Sequence, residues 1–128
     1  MRAGGAANQI KEIDALTDAI RSANDPPKTL EELQAPVGTK SQSGYHDHHI
    51  AEEGAARDAG YPESLIQGRD NRARIPVLKH IEITRYYATK VEQDDGTRMS
   101  PRDKLKDADF ETRREFGPGI LRKYGVLK

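Results

Sequence analysis

Apolar residues recur at helical spacing close to the start of the chain, with charged residues between them. They stand three or four positions apart at Ile10, Ile13, Leu16 and Ile20. This periodicity is typical of an amphipathic helix and predicts one over residues 9–23. The Asn-Asp-Pro-Pro run at 24–27 is expected to end that helix. Residues 1–8, which include Gly4 and Gly5, are expected to form a flexible lead.

Shorter patterns follow in the middle of the chain. Thr29 and Glu32 form a capping-box pattern that predicts a short helix through about Gln34, followed by a loop over 35–44. Further along, the patterns predict these elements in order: a strand or turn arm over 44–50, a helix over 51–59 ended by Gly60, a loop over 61–64, a strand over 72–75 stopped by Pro76, and a helix over 77–87 with Leu78, Ile81 and Tyr86 or Tyr87 facing inward.

Two more helices are predicted near the C-terminus. The first opens with Ser100 as its N-cap and Pro101 at the first helical position, and it extends over 102–106. The second is bounded as follows: Asp109 caps it, it runs through about Phe116, and Gly117-Pro118-Gly119 breaks it before a last turn over 120–124. Together the elements predict an α+β fold, in which a small hairpin-and-helix unit is wrapped by helices.

Composition limits the classes of protein to which the chain can belong. Its 128 residues are 34% apolar and 33% charged, which suits one small domain without a large core. The absence of cysteine excludes a disulfide scaffold, a cysteine zinc site and thiol catalysis. No apolar run is long enough for a membrane span or a signal peptide, so we expect a soluble protein.

Charge is distributed unevenly, although the formal net charge is zero. Residues 1–65 carry 6 Lys and Arg against 11 Asp and Glu, whereas residues 66–128 carry 15 against 10. The basic second half is compatible with a polyanionic ligand, and the acidic first half can screen that surface or meet another protein.

All four histidines fall between positions 46 and 80, and three of them stand in the run Tyr-His-Asp-His-His-Ile at 45–50. Neighbouring residues on an extended strand point to opposite faces, so one histidine can hold a metal ion while the next acts on a substrate. Imidazole serves both purposes, because it binds metals when neutral and titrates near neutral pH. Hydrolysis of a phosphodiester needs a base to activate water and a divalent cation to bind the phosphate.

Two later segments of the chain carry further candidate residues at defined spacings from the histidine run. Asn71 lies 22 residues after His49 in Asp-Asn-Arg-Ala-Arg-Ile-Pro, and His80 lies nine residues after Asn71 in Lys-His-Ile-Glu-Ile. With the Asp-His-His-Ile stretch, these segments resemble those of the HNH, or His-Me finger, nucleases, in particular the nuclease domains of colicins and related polymorphic toxins. The resemblance covers about residues 44–87 and implies a ββα-metal core wrapped by additional helices.

The resemblance also implies a role for each matching residue. His49 matches the general base that takes a proton from water. Asn71 matches the residue that orients this base through a local contact. His48 and His80 match the ligands of a divalent metal ion. A base held in one tautomer by a neighbour is preorganised for proton abstraction, so the assignment is chemically consistent.

One position departs from the colicin-like pattern. Those members carry a second histidine one helical turn after the first, and this chain has Thr84 there. Asp47 or His46 is the alternative source of the missing ligand, and Thr84 itself is a candidate neighbour of the ion. Two protein ligands plus waters suit Mg²⁺ or Mn²⁺ better than a closed zinc site, with Zn²⁺ or Ni²⁺ left open.

Basic residues surround the three segments: Arg69, Arg72, Arg74, Lys79 and Arg85. We expect them to contact phosphates, which makes binding salt-dependent and largely independent of sequence. The alternative is a solvated basic rim, with Arg74 paired to Glu82.

These features predict a metal-dependent endonuclease that cleaves DNA with little sequence preference, and an RNA substrate remains open. The resemblance further implies a toxin domain of a bacterial effector, delivered into the cytoplasm of a target cell and bound by an acidic immunity protein. A phage or mobile-element nuclease and a catalytically inactive binding module are the alternatives. The expected organisation is one compact domain with a lead (1–8), a helical segment (9–43), the core (44–90) and a C-terminal helical extension (91–128).

Overall fold

The computed structural model describes residues 3–128. Helices and two short antiparallel strand pairs alternate along this part of the chain, which confirms a small α+β fold. The helices are α1 (Ala3–Ala23), α2 (Leu30–Gln34), α3 (Glu53–Asp58), α4 (Glu63–Ile66), α5 (Val77–Ala88), α6 (Pro101–Lys104) and α7 (Phe110–Lys123), and the strands are β1 (Tyr45–His49), β2 (Arg72–Pro76), β3 (Val91–Glu92) and β4 (Arg98–Met99).

The strand pair β1–β2 leads directly into helix α5. Its antiparallel register pairs Tyr45 with Pro76 at one end and His49 with Arg72 at the other. Pro76 closes β2, where a residue that cannot donate to the ladder is tolerated, and α5 begins at the next residue. The predicted order of strand, strand and helix is therefore confirmed, with bounds that agree to within about a residue.

One apolar cluster joins this unit to the C-terminal helix. It consists of Leu33, Ile50, Ala73, Ile75, Ile83, Tyr87, Ile120, Leu121, Val126 and Leu127. Tyr87 is buried as predicted, whereas Ile81 is 48% exposed, so its predicted inward orientation was wrong. Ile83 is the residue that α5 turns into the cluster in its place.

Residues 126–128 join the core to the segment that follows α1. Val126 and Leu127 are buried, and Leu127 forms a parallel bridge with Lys28 in the segment that follows α1. The Lys28 amide donates to the Val126 carbonyl over 3.0 Å, and the Lys128 amide donates to the Lys28 carbonyl over 2.9 Å. Residues about 100 positions apart in sequence thus meet at the edge of the main cluster.

Helix α7 continues without interruption through Gly117, Pro118 and Gly119, so the prediction that this run breaks the helix was wrong. Pro118 removes one backbone donor, but buried residues before and after it hold the helix against the domain. Gly117 lies directly on Ile50, since a Cβ at this position would stand 2.5 Å from Ile50 Cγ2 and 2.7 Å from the Ile50 carbonyl oxygen. The glycine therefore permits close packing rather than ending the helix.

Helix α1 begins at Ala3 rather than at position 9, so helix replaces the predicted flexible lead over residues 3–8. The rest of that lead, residues 1–2, lies outside the described residues. The predicted helix is confirmed, but its apolar stripe does not face the domain. Between 53% and 62% of each residue of that stripe is exposed: Ile10, Ile13, Leu16 and Ile20.

The last turns of α1 attach it to the domain through small residues. Ala19 and Ser22 are buried, and the Ser22 hydroxyl donates to the Gly44 carbonyl over 2.8 Å. Gly44 has a positive φ of 88°, and a Cβ there would lie 2.7 Å from the Asp18 carbonyl oxygen. Close backbone contact, rather than burial of large side chains, thus fixes α1 just before β1 begins.

Several short elements differ from their predictions. Helices α2 and α6 are confirmed, each with a complete capping box. Helix α3 begins two residues later than expected, α4 begins within the predicted loop over 61–64, and the β3–β4 hairpin was not predicted. No helix within residues 3–128 combines the length and the apolar character needed to cross a membrane.

Candidate functional site

A cleft of about 1070 Å³ opens beside the β1–β2–α5 unit. Strand β1 contributes His48 and His49 to its lining, and α5 contributes His80 and Thr84. Helices α3 and α6 supply further walls, so residues far apart in sequence surround the histidines. Three of the four histidines of the chain therefore line one cavity.

His48 and His80 face each other across the gap between β1 and α5. His48 lies opposite Ala73 in the ladder and is 4% exposed. Its Nδ1 atom is 3.1 Å from Nδ1 of His80. Burial, with the nearby His80 as a further cause, lowers the pKa of His48 to about 3, and burial also lowers the pKa of His80. Both rings are therefore neutral near pH 7, which is the protonation state that binds metal ions.

The residues expected to supply a third ligand do not join this pair. Asp47 points to the opposite face of β1, where its carboxylate accepts from Arg74 Nε over 2.8 Å and from the Gly38 amide. The Arg74 hydrogen bond holds the pKa of Asp47 below its ordinary value. Asp47 as an additional ligand was therefore wrong, because its register partner on β2 is an arginine that engages it.

His46 and Thr84 lie nearer to the pair. The His46 ring is exposed, and its centroid is 5.2 Å from that of His80 in an edge-on arrangement. Thr84 lies one turn along α5 from His80, and its hydroxyl donates to the His80 carbonyl over 2.9 Å. Within residues 3–128, no group of three or more His, Cys, Asp or Glu side chains converges as a metal site. The two facing imidazoles are thus the donor set that the fold provides.

His49 points away from this pair into a polar surrounding. Its side chain is 18% exposed, and its Nε2 atom lies 2.9 Å from Gln67 Oε1 and 3.6 Å from Glu53 Oε2. Gln67 Nε2 in turn donates to Glu53 Oε2 over 2.6 Å. No sequence pattern pointed to Gln67. Glu53 was interpretable from the sequence only as an acidic residue in the first turn of the helix that follows the histidines, not as a neighbour of the His49 ring.

Asn71 does not make the predicted direct contact with His49. It is fully buried, and its Oδ1 accepts from the Ala51 amide over 2.8 Å. Its Nδ2 donates to the carbonyl oxygens of Ala51 and Ile66 over 3.2 Å and 3.0 Å. The side chain therefore fixes the backbone that follows His49, because its amide matches the donor and acceptor of the loop there rather than the imidazole.

Two of the five predicted phosphate-binding residues have structural roles. Arg74 is 8% exposed and, besides Asp47, donates to the carbonyl oxygens of Lys40 and Thr39. Arg69 donates to the Gln34 and Ala35 carbonyl oxygens, although its side chain stays exposed. Arg74 as a phosphate contact was therefore wrong, as was its alternative pairing with Glu82, since burial and three acceptors occupy its guanidinium.

The other three basic residues remain available. Arg72, Lys79 and Arg85 form no ion pair with any described acidic residue. Arg72 pairs with His49 in the ladder, so both side chains leave the same face of the strand pair. Its Nε atom is buried and has no hydrogen-bond partner among the described residues. A buried donor without an acceptor is unfavourable, and this atom is too little exposed for an anion from solvent to contact it.

The far wall of the cleft depends on an ion pair that the sequence did not reveal. Arg102 of α6 binds Glu52 through two parallel hydrogen bonds of 2.9 Å and 2.6 Å. Glu52 directly precedes α3, so this pair ties the C-terminal part of the chain to the loop that follows His49. Bidentate geometry of this kind fixes orientation as well as distance.

The donor set fits a divalent metal ion. Nitrogen ligands about 2.1 Å from one ion are themselves about 3 Å apart, and the two Nδ1 atoms are 3.1 Å apart. Both rings are neutral, and the cleft beside them leaves room for water. The chain matches no protein-family model, no curated protein and no solved structure. The chemistry of this site is therefore argued from its own residues.

Proposed function

We propose that the protein is a metal-dependent endonuclease of the HNH type that hydrolyses phosphodiester bonds in DNA. The observation that carries the proposal is the placement of three histidines around one cleft. Two of them face each other across a β1–β2–α5 unit at 3.1 Å, and the third, His49, leaves the opposite face of the same strand. A ββα-metal core has this order of elements.

In this proposal His49 is the general base. Its imidazole takes a proton from a water molecule as the water oxygen forms a bond to phosphorus, and the bond from phosphorus to the leaving oxygen breaks. His48 and His80 hold the metal ion. When bound, such an ion supplies positive charge for the phosphate and the leaving oxygen. Imidazole nitrogens favour Zn²⁺ or Ni²⁺ over the Mg²⁺ or Mn²⁺ expected from the sequence, and water would complete the ligands of any of these ions.

Asn71 acts on the base through the backbone. It holds Ala51, two residues after His49, and Ile66, one residue before Gln67. Both segments that meet at the imidazole are therefore fixed by one buried amide. This role replaces the direct contact expected from the sequence and keeps Asn71 in the site.

Arg72 supports a phosphate substrate. It leaves the same face of the strand pair as His49, and no described acidic residue forms an ion pair with its guanidinium. Its positive charge therefore favours a phosphate at this face. Lys79 and Arg85 on α5 add unpaired positive charge for sequence-independent contacts.

The biological setting is proposed on the resemblance in sequence. A toxin domain delivered into a target cell would be neutralised by an acidic immunity protein, and the basic second half of the chain suits such a partner. The proposed chemistry does not depend on this setting, because a phage or mobile-element nuclease would use the same residues.

Cleavage of supercoiled plasmid tests the proposal. Purified protein is incubated with plasmid in Mg²⁺, Mn²⁺, Zn²⁺, Ni²⁺ or EDTA, beside His49→Ala and the surface control Gln9→Ala. Nicking that requires a divalent ion, survives in Gln9→Ala and falls about 10²–10⁴-fold in His49→Ala supports the proposal. Equal nicking by His49→Ala contradicts the assigned base.

The same assay separates the enzyme from an inactive binding module. One observation favours the module, namely that no third protein ligand joins His48 and His80 among the described residues. Plasmid binding in gel-shift experiments without cleavage in any of the four ions would establish the module in place of the enzyme. A ribonucleotide substrate in parallel reactions decides between DNA and RNA.

A further inference from the structure

We propose that Gln67 and Glu53 are positioning residues that fix His49 in the tautomer with its proton on Nε2, so that Nδ1 is the nitrogen that accepts the proton from water. The catalytic consequence rests on the proposed function, whereas the tautomer itself is a property of the fold. Three residues in a hydrogen-bonded series carry the inference: His49, Gln67 and Glu53.

The series determines which way the Gln67 amide points. Its Nε2 lies 2.6 Å from Glu53 Oε2. The hydrogen bond from Gln67 lowers the pKa of Glu53, so the carboxylate is ionised and can only accept. Rotating the amide by half a turn would place two acceptor oxygens against each other at this distance. The amide oxygen therefore faces His49, and its orientation follows from the network.

The amide orientation in turn determines the tautomer of the imidazole. His49 Nε2 lies 2.9 Å from the Gln67 oxygen and 3.6 Å from Glu53 Oε2. Both neighbours are acceptors, so Nε2 must carry the hydrogen in the neutral ring. The lone pair is then on Nδ1, as a general base requires. After proton transfer, the Glu53 carboxylate also stabilises the positive charge of the imidazolium.

Surrounding contacts hold the series in place. Arg57 donates to Glu63 through two bonds of 3.0 Å and 2.6 Å and lies 3.4 Å from Glu53. Asn71 binds the carbonyl oxygen of Ile66, the residue before Gln67. Helix α3, which begins at Glu53, and Gln67, which directly follows α4, are thereby joined at the imidazole. The two short helices thus position the neighbours of His49 in addition to covering the core.

Nuclear magnetic resonance tests the tautomer directly. The full chain is labelled with ¹⁵N-histidine, and long-range proton–nitrogen spectra are recorded well above the pKa of an ordinary histidine. We expect a protonated Nε2 and an unprotonated Nδ1 for His49 in the unmodified protein. Gln67→Lys presents a donor in place of the acceptor and reverses this pattern. Gln9→Lys, at an exposed position of α1, is the matched control and leaves the pattern unchanged.

Cleavage kinetics give the second readout. Gln67→Lys is expected to lower kcat about 100-fold with little change in KM, and the control Gln9→Lys to leave both unchanged. Should Gln67→Lys fail to fold, Glu53→Gln takes its place and is expected to give a mixture of tautomers, because the Gln67 amide then loses its fixed direction.

The outcomes separate this inference from the proposed function. A His49 ring protonated on Nδ1, or a tautomer that Gln67→Lys leaves unchanged in a folded protein, overturns the inference. The expected spectra in a protein that cleaves no nucleic acid support the tautomer and overturn the proposed enzyme. The expected spectra together with the kcat loss support both.

Discussion

His48 and His49 are neighbours in the chain, yet they lie in opposite environments. His48 is buried against α5, and its contact there is the neutral ring of His80. His49 leaves the other face of β1 and meets the polar side chains of Gln67 and Glu53. Successive side chains of a strand point to opposite faces, so adjacent positions on β1 are enough to separate the two rings.

The difference fits the two kinds of chemistry that we propose for this dipeptide. Burial removes charge from His48 and leaves a neutral nitrogen donor, as a metal ligand must be. His49 lies beside hydrogen-bond acceptors, an arrangement that suits the role of general base that we propose for it. We expect substitutions on the His48 face of β1 and substitutions on its His49 face to have different effects.

The largest effect is expected from His80→Ala compared with His49→Ala. His80→Ala removes one of two facing donors, so Zn²⁺ or Ni²⁺ should bind at least about 100-fold more weakly and plasmid cleavage should be lost. His49→Ala should lose cleavage and keep metal affinity, because its ring faces away from the donor pair. Titration calorimetry measures the affinities. Loss of metal binding in both variants would contradict the separation of the two faces of β1.

Asn71→Ala should produce the largest loss of stability. It leaves the buried groups of Ala51 and Ile66 without partners, and we expect the free energy of unfolding to fall by about 3 kcal/mol. Asn24→Ala is the control, since Asn24 makes one exposed bond to the Ile20 carbonyl and should cost less than about 1 kcal/mol. Urea denaturation measures both. Similar losses in the two variants would argue against Asn71 as the clamp on the His49 side.

Gly117→Ala tests the packing immediately behind His49. The added Cβ meets Ile50, the residue after His49, and should destabilise the protein by about 1–3 kcal/mol. Gly119→Ala is the matched control on the same helix, because nothing lies within 4 Å of its Cβ position. We expect Gly119→Ala to stabilise by about 0.5–1 kcal/mol. Thermal unfolding of the two variants in opposite directions confirms the contact, and a shared direction refutes it.

The smallest effect is expected at the far end of β1. Burial, and then a hydrogen bond to Asp25, raises the pKa of the Tyr45 hydroxyl from 10.0 to about 12. A raised pKa favours the neutral phenol in the folded state, so its contribution is complete below pH 10 and declines as the pH rises toward 12. The unmodified protein should lose roughly 1 kcal/mol relative to Tyr45→Phe across that range. Denaturation curves at increasing pH give the difference, and parallel curves would contradict it.

Local patterns in the sequence predicted the elements that carry the histidines. Alternation, capping residues and the proline at the end of β2 act within a few positions, so both strands and α5 were located correctly. The order of β1, β2 and α5 also predicts that His48 and His80 lie close together. Helix α7 was misread at Gly117 because tertiary packing against Ile50, which no local pattern encodes, decides what a glycine does there.

The partners of the candidate site could not be predicted in the same way. Gln67 and Glu53 reach His49 through α3 and α4, and their contacts depend on how those short helices pack. Asn71 was identified as a site residue, but its three hydrogen bonds go to backbone groups. Arg74 was assigned to phosphate because the register that places Asp47 opposite it was not known.

The closure of the core by Val126 and Leu127 bears on how the protein is made. A ribosome releases the histidine-bearing strand and α5 well before it releases these residues. Until then the buried face of α5 lacks its cover, and Lys28 lacks its backbone partners. The order of synthesis therefore places closure of this apolar cluster after the strands and helices that carry the histidines have been made.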